Sequence, residues 1–376
     1  MEPYASSWNN NTYIVPFPIL QHFLSINELT KITKLNSKFK DMVFNKTAPF
    51  IMKITSVSHG ISVMRTFKNC ELALELIPNN KDADLSQLSS LTNLTVKKLQ
   101  VTNQELTNLK RMRSLTLHKN KTVTDYGLSE MQFMTSLSLV DNEAKITNGL
   151  FKKFTNLRTL DLSSHWFLPE KYFGDKCLKY CQNLTDLNLT ACEFITDAGL
   201  MNVTNLTKLN ICNNIVITDN GICHMIGLKE LNCGVNNTIT DAGIVTLVNL
   251  ETLILFDNVN ITDAGLVNLV SLTELDLGDQ WKITDDGIKH LKKLVKLGLS
   301  YNGTITGQAI ANFPELTSIN LHANQKIDDA CISKIKKLKR IQLCRSGCCR
   351  QRLSSKFIKD LMSDGVIVND YYHAKF

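Results

Sequence analysis

The sequence predicts an α/β solenoid, a stack of short parallel strands backed by short helices, and three observations carry that prediction. Isoleucine recurs every 22 residues at Ile195, Ile217, Ile239, Ile261, Ile283, Ile305 and Ile327. Leucine keeps the same interval at Leu184, Leu206, Leu228, Leu250, Leu272, Leu294, Leu316 and Leu338. Within each period two apolar residues stand two apart, as Leu209 and Ile211 do, so both point to one side of a short strand. Such a period marks a stacked array, for which the length of 376 residues is no guide to domain count.

The unit from Leu206 to Ile222 shows each element in turn. Lys208, Asn210 and Cys212 alternate with the apolar pair and so face the other side of the strand. Asn214 ends the strand, where a buried amide can satisfy the N–H and C=O groups of a turning backbone. Asp219 follows Thr218 and is expected to cap a short helical run from Asn220 to Ile226. Gly221 suits close approach of that helix to its neighbour. A unit of this size cannot bury its leucines alone, so the units must stack, with a parallel sheet on one side and helices on the other.

The helical end of the unit carries a further signature. The string Ile-Thr-Asp-Ala-Gly-Leu stands intact at Ile195–Leu200 and Ile261–Leu266, with variants at Ile217–Ile222, Ile239–Ile244 and Ile283–Ile288. This resembles the leucine-rich-repeat family and implies a horseshoe with a concave parallel sheet and short convex helices. Less regular units centre on Leu160/Leu162, Leu137/Leu139 and Leu115/Leu117, with fainter ones at Leu94/Val96 and Leu74/Leu76. We expect about thirteen units over residues 70–345, an inner arc of about 60 Å at roughly 4.8 Å per strand, and a C-terminal cap over 346–376. One unit is longer than the rest, with a rim bulge expected near His165-Trp166-Phe167-Leu168-Pro169.

Residues 13–50 follow a different rule. Leu20, Phe23, Leu24, Leu29, Ile32, Leu35, Phe39, Met42 and Val43 keep helical spacing. The strings Pro18-Ile-Leu-Gln-His-Phe-Leu-Ser-Ile-Asn-Glu-Leu29 and Leu35-Asn-Ser-Lys-Phe-Lys-Asp-Met-Val43 resemble an F-box, with Val15-Pro16 where that family has Leu-Pro. The resemblance implies a substrate receptor of a cullin-RING ubiquitin ligase of the SCF type. Pro18, Ile19, Leu20, Phe23 and Leu24 would then contact the adaptor that bridges to the cullin. A helical cap shielding the end of the array, in a scaffold with no ubiquitin role, is the alternative.

Composition narrows the classes. No apolar run reaches the ~18–20 residues that span a bilayer, so no membrane partner is expected. The opening MEPYASSWNNNTY has no basic leader, and the eleven cysteines are therefore read as thiols of a reducing compartment, the cytoplasm, with the nucleus also open. Cys177 and Cys181 are spaced to meet on one helical turn, but no second pair completes a metal site. No glycine-rich phosphate loop and no catalytic arrangement of histidines is present, so neither enzyme activity nor a cofactor is expected. From Lys336 to Lys359 there are nine basic residues and no acidic one. This is either a nucleic-acid or acidic-partner patch or the solvated face of the C-terminal cap.

Function should then lie on the strand residues that alternate with the leucines. In earlier units these are small or polar: Ser114, Thr116, Ser136, Ser138, Thr159 and Asp161. From Leu250 onward larger groups appear at or just beyond the strands, namely Phe256, Trp281, Tyr301, His322, Arg340 and Arg345, with Glu274, Asp276 and Asp279 among them. Aromatic and arginine anchors dominate the energetics of protein interfaces, so these residues are the expected site for a protein target. Packing between turns is the competing role for Trp281 and Tyr301.

Overall fold

The structure, a computed structural model, describes residues 50–66, 70–79, 81, 84–142, 145–163, 174–344 and 352–371. The F-box-like helices, the bulge at 165–169 and Arg345 lie outside these residues. The chain forms two compact units, residues 1–133 and 134–376.

The first unit contributes four parallel strands, β1 (Phe50–Ile54), β2 (Cys70–Leu76), β3 (Leu91–Val96) and β4 (Ser114–Leu117). Strand β1 lies N-terminal to the array expected from residue 70, and pairs in parallel with β2, Met52 opposite Leu72. A ten-residue helix, Val57–Thr66, joins β1 to β2. The helix Asn103–Thr107 begins in a capping box: the Thr102 hydroxyl accepts from Glu105 N–H while the Glu105 carboxylate accepts from Thr102 N–H.

The second unit holds β5 (Ser136–Ser138), β6 (Thr159–Asp161), β7 (Asp186–Asn188), β8 (Lys208–Asn210), β9 (Glu230–Asn232), β10 (Thr252–Ile254) and β11 (Glu274–Asp276). It continues with β12 (Lys296–Gly298), β13 (Ser318–Asn320), β14 (Arg340–Cys344) and β15 (Ile367–Tyr371). Each strand pairs in parallel with the next, so Leu231, Leu253, Leu275 and Leu297 lie in one row. All four are buried, as are Leu255, Leu277 and Leu299 two residues on. The region expected as a C-terminal cap supplies the helix Ser355–Ser363 and β15, one more strand on the same sheet.

Two ladders of polar side chains stitch the repeats together. In the first, buried Asn214 donates to the carbonyls of Cys192 (2.6 Å) and Leu189 (3.3 Å) in the preceding repeat, and accepts from Val216 N–H and Ile217 N–H. Asn236, Asn258, Asn302 and Asn324 repeat the pattern. Every donor and acceptor of the amide is used, which is what makes burial of so polar a group tolerable.

The second ladder corrects the expected cap. The helix N-cap is Thr218, whose hydroxyl accepts from Asn220 N–H, and the helix is one turn, Asp219–Ile222, not a run to Ile226. Asp219 instead reaches the next repeat, where its carboxylate accepts from the Thr240 N–H (2.8 Å) and hydroxyl (2.6 Å). Asp175, Asp197, Asp241 and Asp263 do the same for Thr196, Thr218, Thr262 and Thr284. The glycine of the signature lies against this bond: a Cβ on Gly243 would overlap the Asp219 carboxylate as it is placed here.

Candidate partner-binding site

The register of β7–β14 sorts the strand-face residues into columns that run from repeat to repeat. One column is Asp186, Lys208, Glu230, Thr252, Glu274, Lys296, Ser318 and Arg340. Its charges largely pair within the protein: Lys208 Nζ lies 2.7 Å from Glu230 and Lys296 Nζ 2.8 Å from Glu274. Burial raises the carboxyl of Asp186 above its usual range, with Lys208 acting against it. Arg340 stands exposed at the far end.

The next column reads Asn188, Asn210, Asn232, Ile254, Asp276, Gly298, Asn320 and Gln342. Its amides and carboxylate fold back on their own chain: Asn232 accepts from Gly234 N–H at 3.0 Å, Asp276 from Gly278 N–H at 2.9 Å and Asn320 from His322 N–H at 3.0 Å. Asp276 leans over Gly298, where any Cβ would overlap its carboxylate, and burial raises its pKa. Glu274 and Asp276 are therefore committed to intramolecular bonds.

Phe256 is half-buried, and its ring lies against Gly278, whose Cβ would stand 2.7 Å from Phe256 Cδ2. His322 departs from the expectation of a face-exposed anchor. It is only 4% exposed because the ring of Tyr301 stacks edge-on against it, centroids 5.2 Å apart, with the Tyr301 hydroxyl 3.1 Å from His322 Nε2.

The accessible groups gather instead at the edge where each strand turns into its loop. There one residue per repeat adopts left-handed backbone geometry: Asn213, Val235, Asp257, Asp279, Tyr301 and Ala323, all with φ between 52° and 54°. Their N–H groups continue the inter-repeat bonding, Asp257 N–H to Gly278 C=O at 2.9 Å and Asp279 N–H to Ser300 C=O at 2.8 Å. That bonding holds the column in a conformation disfavoured for residues with a Cβ. Tyr301 in this column is 44% exposed, and Trp281, two residues beyond Asp279, is 59% exposed. The indole N–H of Trp281 donates to Asp279 at 3.1 Å, and its ring sits against Gly303.

Of the residues expected to form one site, Trp281 and Tyr301 lie at this edge in adjacent repeats, with Asp279 two residues before Trp281. Glu274, Asp276 and Phe256 pack on the strand face, His322 lies beneath Tyr301, and Arg340 stands at the far end of its column. Sequence reasoning passed over Asp257, although the period itself was the signal: it sits 22 residues before Asp279.

Other candidate chemistry resolves into structure. Cys177, Cys181 and Cys192 are buried free thiols, with burial pushing Cys181 up to about 12 and Cys192 to about 11. Cys344 is engaged in a disulfide, which corrects the all-thiol reading at that position. Among the described residues no group of three His, Cys, Asp or Glu side chains converges as metal ligands, and no helix is long and apolar enough to cross a membrane. Several Asn-x-Thr asparagines have structural work: Asn205 donates to Gln182 C=O and Asn260 to Asn237 C=O, each across a repeat boundary.

Comparison with known proteins agrees with this architecture. Residues 180–203 and 246–270 match the Leucine Rich repeat family. A crystal structure of an internalin from Listeria monocytogenes superposes with TM-score 0.53 at 18% identity, over 95% of this chain and 98% of that one. A leucine-rich-repeat protein of Leptospira interrogans gives TM-score 0.56 at 19% identity over 85% of this chain and 89% of its own. The mouse RP105/MD-1 complex gives TM-score 0.53 at 17% identity over 86% of this chain and 64% of that one. No curated protein matches the sequence. The repeats are leucine-rich repeats, and the fold is the one these structures share.

Proposed function

We propose that this chain is a protein-binding leucine-rich-repeat scaffold, with the strand-to-loop edge at Trp281 and Tyr301 at the centre of its binding surface. The observation that carries this reading is the pairing of two large exposed aromatics in adjacent repeats, each held in place by a hydrogen bond. An exposed ring with a fixed orientation loses little entropy on binding, and such residues supply most of the energy in protein interfaces. The neighbouring strand face favours the edge by contrast, since most of its charges are already paired and several of its polar side chains already bonded to their own backbone. That the mouse neighbour is itself a complex supports such a role for an array of this fold. The test is affinity capture of the tagged full-length chain with quantitative mass spectrometry, wild type against Trp281→Ala/Tyr301→Ala. Partners lost from the variant at unchanged thermal stability support the reading; an unchanged partner set sinks it.

A narrower reading has its own support in the sequence. The resemblance of residues 18–43 to an F-box favours a substrate receptor of an SCF-type ubiquitin ligase, in which Pro18, Ile19, Leu20, Phe23 and Leu24 hold the adaptor. Immunoblotting the captured complex from eukaryotic cells for adaptor and cullin tests it, with Leu20→Ala/Phe23→Ala as the control that should lose both. Their absence from the wild-type complex removes the ligase and leaves the scaffold.

A further inference from the structure

We propose that the edge at Trp281 recognises an arginine side chain of the protein partner, held between the indole and the carboxylates of Asp257 and Asp279; this rests on the reading of that edge as the partner site.

The charge pattern comes first. Four carboxylates of this unit pair with a lysine one repeat away: Lys208–Glu230, Lys229–Glu251, Lys296–Glu274 and Lys337–Glu315, at 2.7–2.9 Å. The half-buried aspartates of the left-handed column have no such lysine. Asp257 has Val235 on one side and Asp279 on the other, and Asp279 has Tyr301 beyond it. Two aspartates thus stand in successive repeats, their backbones about 4.8 Å apart by strand spacing, and among the described residues neither has an ion-pair partner. The left-handed geometry does not by itself require a charge, since Asn213, Val235 and Ala323 adopt it without one.

The aromatic groups supply the second, independent observation. Trp281 rests against Gly303 and donates its N–H to Asp279, so the carboxylate and the exposed indole are held in one orientation. A cation stacked on the indole would meet both carboxylates along the column. Arginine fits this better than lysine. Its guanidinium is planar and weakly hydrated, stacks on aromatic faces, and offers several N–H donors that two carboxylates can share. A nucleic-acid backbone would bring phosphates against two carboxylates, so it is disfavoured here.

The test uses the full-length chain and fluorescently labelled octa-arginine and octa-lysine peptides, read by anisotropy at about 150 mM salt, where long-range attraction is screened. Octa-arginine should bind at least tenfold more tightly than octa-lysine. Asp257→Asn/Asp279→Asn and, separately, Trp281→Ala should each weaken octa-arginine at least tenfold. Asparagine suits the left-handed column, as Asn213 shows, and melting curves of both variants should overlay the wild type. Equal binding of the two peptides, wild-type affinity in the variants, or direct binding of a labelled thymidine oligonucleotide to the protein in the absence of peptide, lost in the same variants, would overturn the proposal. If Trp281→Ala/Tyr301→Ala loses its captured partners while octa-arginine shows no preference, the arginine assignment fails and the partner site stands. If octa-arginine discriminates but capture is unchanged, the cation site stands and the partner assignment fails.

Discussion

Gly307 and Cys331 stand in the relation that Asp219 and Gly243 hold elsewhere, with the two sizes exchanged. Each pair is 24 residues apart and meets between neighbouring one-turn helices. In the regular repeats the aspartate is large and the next glycine makes room for it. At the last such junction residue 307 is the glycine, and a Cβ there would overlap the Cys331 thiol. The partner threonine has changed as well. With no aspartate to bond it, the N-cap of the next helix is Asp328, which accepts from Cys331 N–H at 3.0 Å. The same volume is filled, and the same cap is made, by different residues.

This exchange predicts a non-additive mutant series. Gly307→Asp alone should destabilise by about 2 kcal/mol, through overpacking against Cys331 and a carboxylate placed beside Asp328. Combining it with Cys331→Gly and Asp328→Thr should recover most of that loss by rebuilding the regular pair. Urea midpoints of the single and triple variants check this; a triple variant no more stable than the single would show that the junction is not a size exchange.

The asparagine ladder predicts a large and specific cost. Asn236→Ala strips partners from the carbonyls of Ile211 and Asn214 and from the N–H groups of Thr238 and Ile239. Leaving buried backbone groups unpaired costs about 1–3 kcal/mol each, so a total of about 3 kcal/mol or more is expected from denaturation. Asn236→Gln should cost less, because Gln280 fills the equivalent place, donating to Asn258 C=O and accepting from Lys282 N–H.

Phe256 and Trp281 should separate by function. Phe256→Ala should lower the melting temperature, since the ring packs on Gly278. Trp281→Ala should leave it within about 1 °C, because changes at exposed positions usually stay within about 0.5 kcal/mol, while weakening partner binding at least tenfold. Differential scanning fluorimetry beside a binding titration reads both. A stability loss for Trp281→Ala equal to that for Phe256→Ala would make the indole a packing residue.

Alkaline pH should loosen the second unit. Burial raises Cys181 to about 12 and Cys192 to about 11 from an ordinary value of 9.0, so the folded chain holds protons that the unfolded chain releases. Their contribution is fully present below pH 9 and falls as pH rises toward 11–12, by about 1.4 kcal/mol per pH unit for each thiol. Urea midpoints between pH 8 and 10.5 should therefore drop more steeply for wild type than for Cys181→Ala/Cys192→Ala. Parallel slopes would mean that these thiols do not govern the alkaline limb.

What the sequence determined by itself was the repeating part. A period of 22 residues with leucines two apart leaves one way to bury them, and the parallel strands, the buried asparagines and the need for glycine all follow from that constraint. What it left open were properties that depend on the adjacent repeat. Asp219 reads as a cap for its own helix, yet its carboxylate is spent on Thr240, because stacking brings that unpaired N–H within reach. His322 and Asp276 read as partner-facing, yet Tyr301 covers the first and the missing side chain of Gly298 lets the second fold down. Strand β1 went unread because Phe50–Ile54 lacks the spaced leucine pair and is recognisable only through its pairing with β2. Which residues stay exposed is decided between repeats, where one side chain's cover is another's absence, and a period read along a single chain does not contain that information.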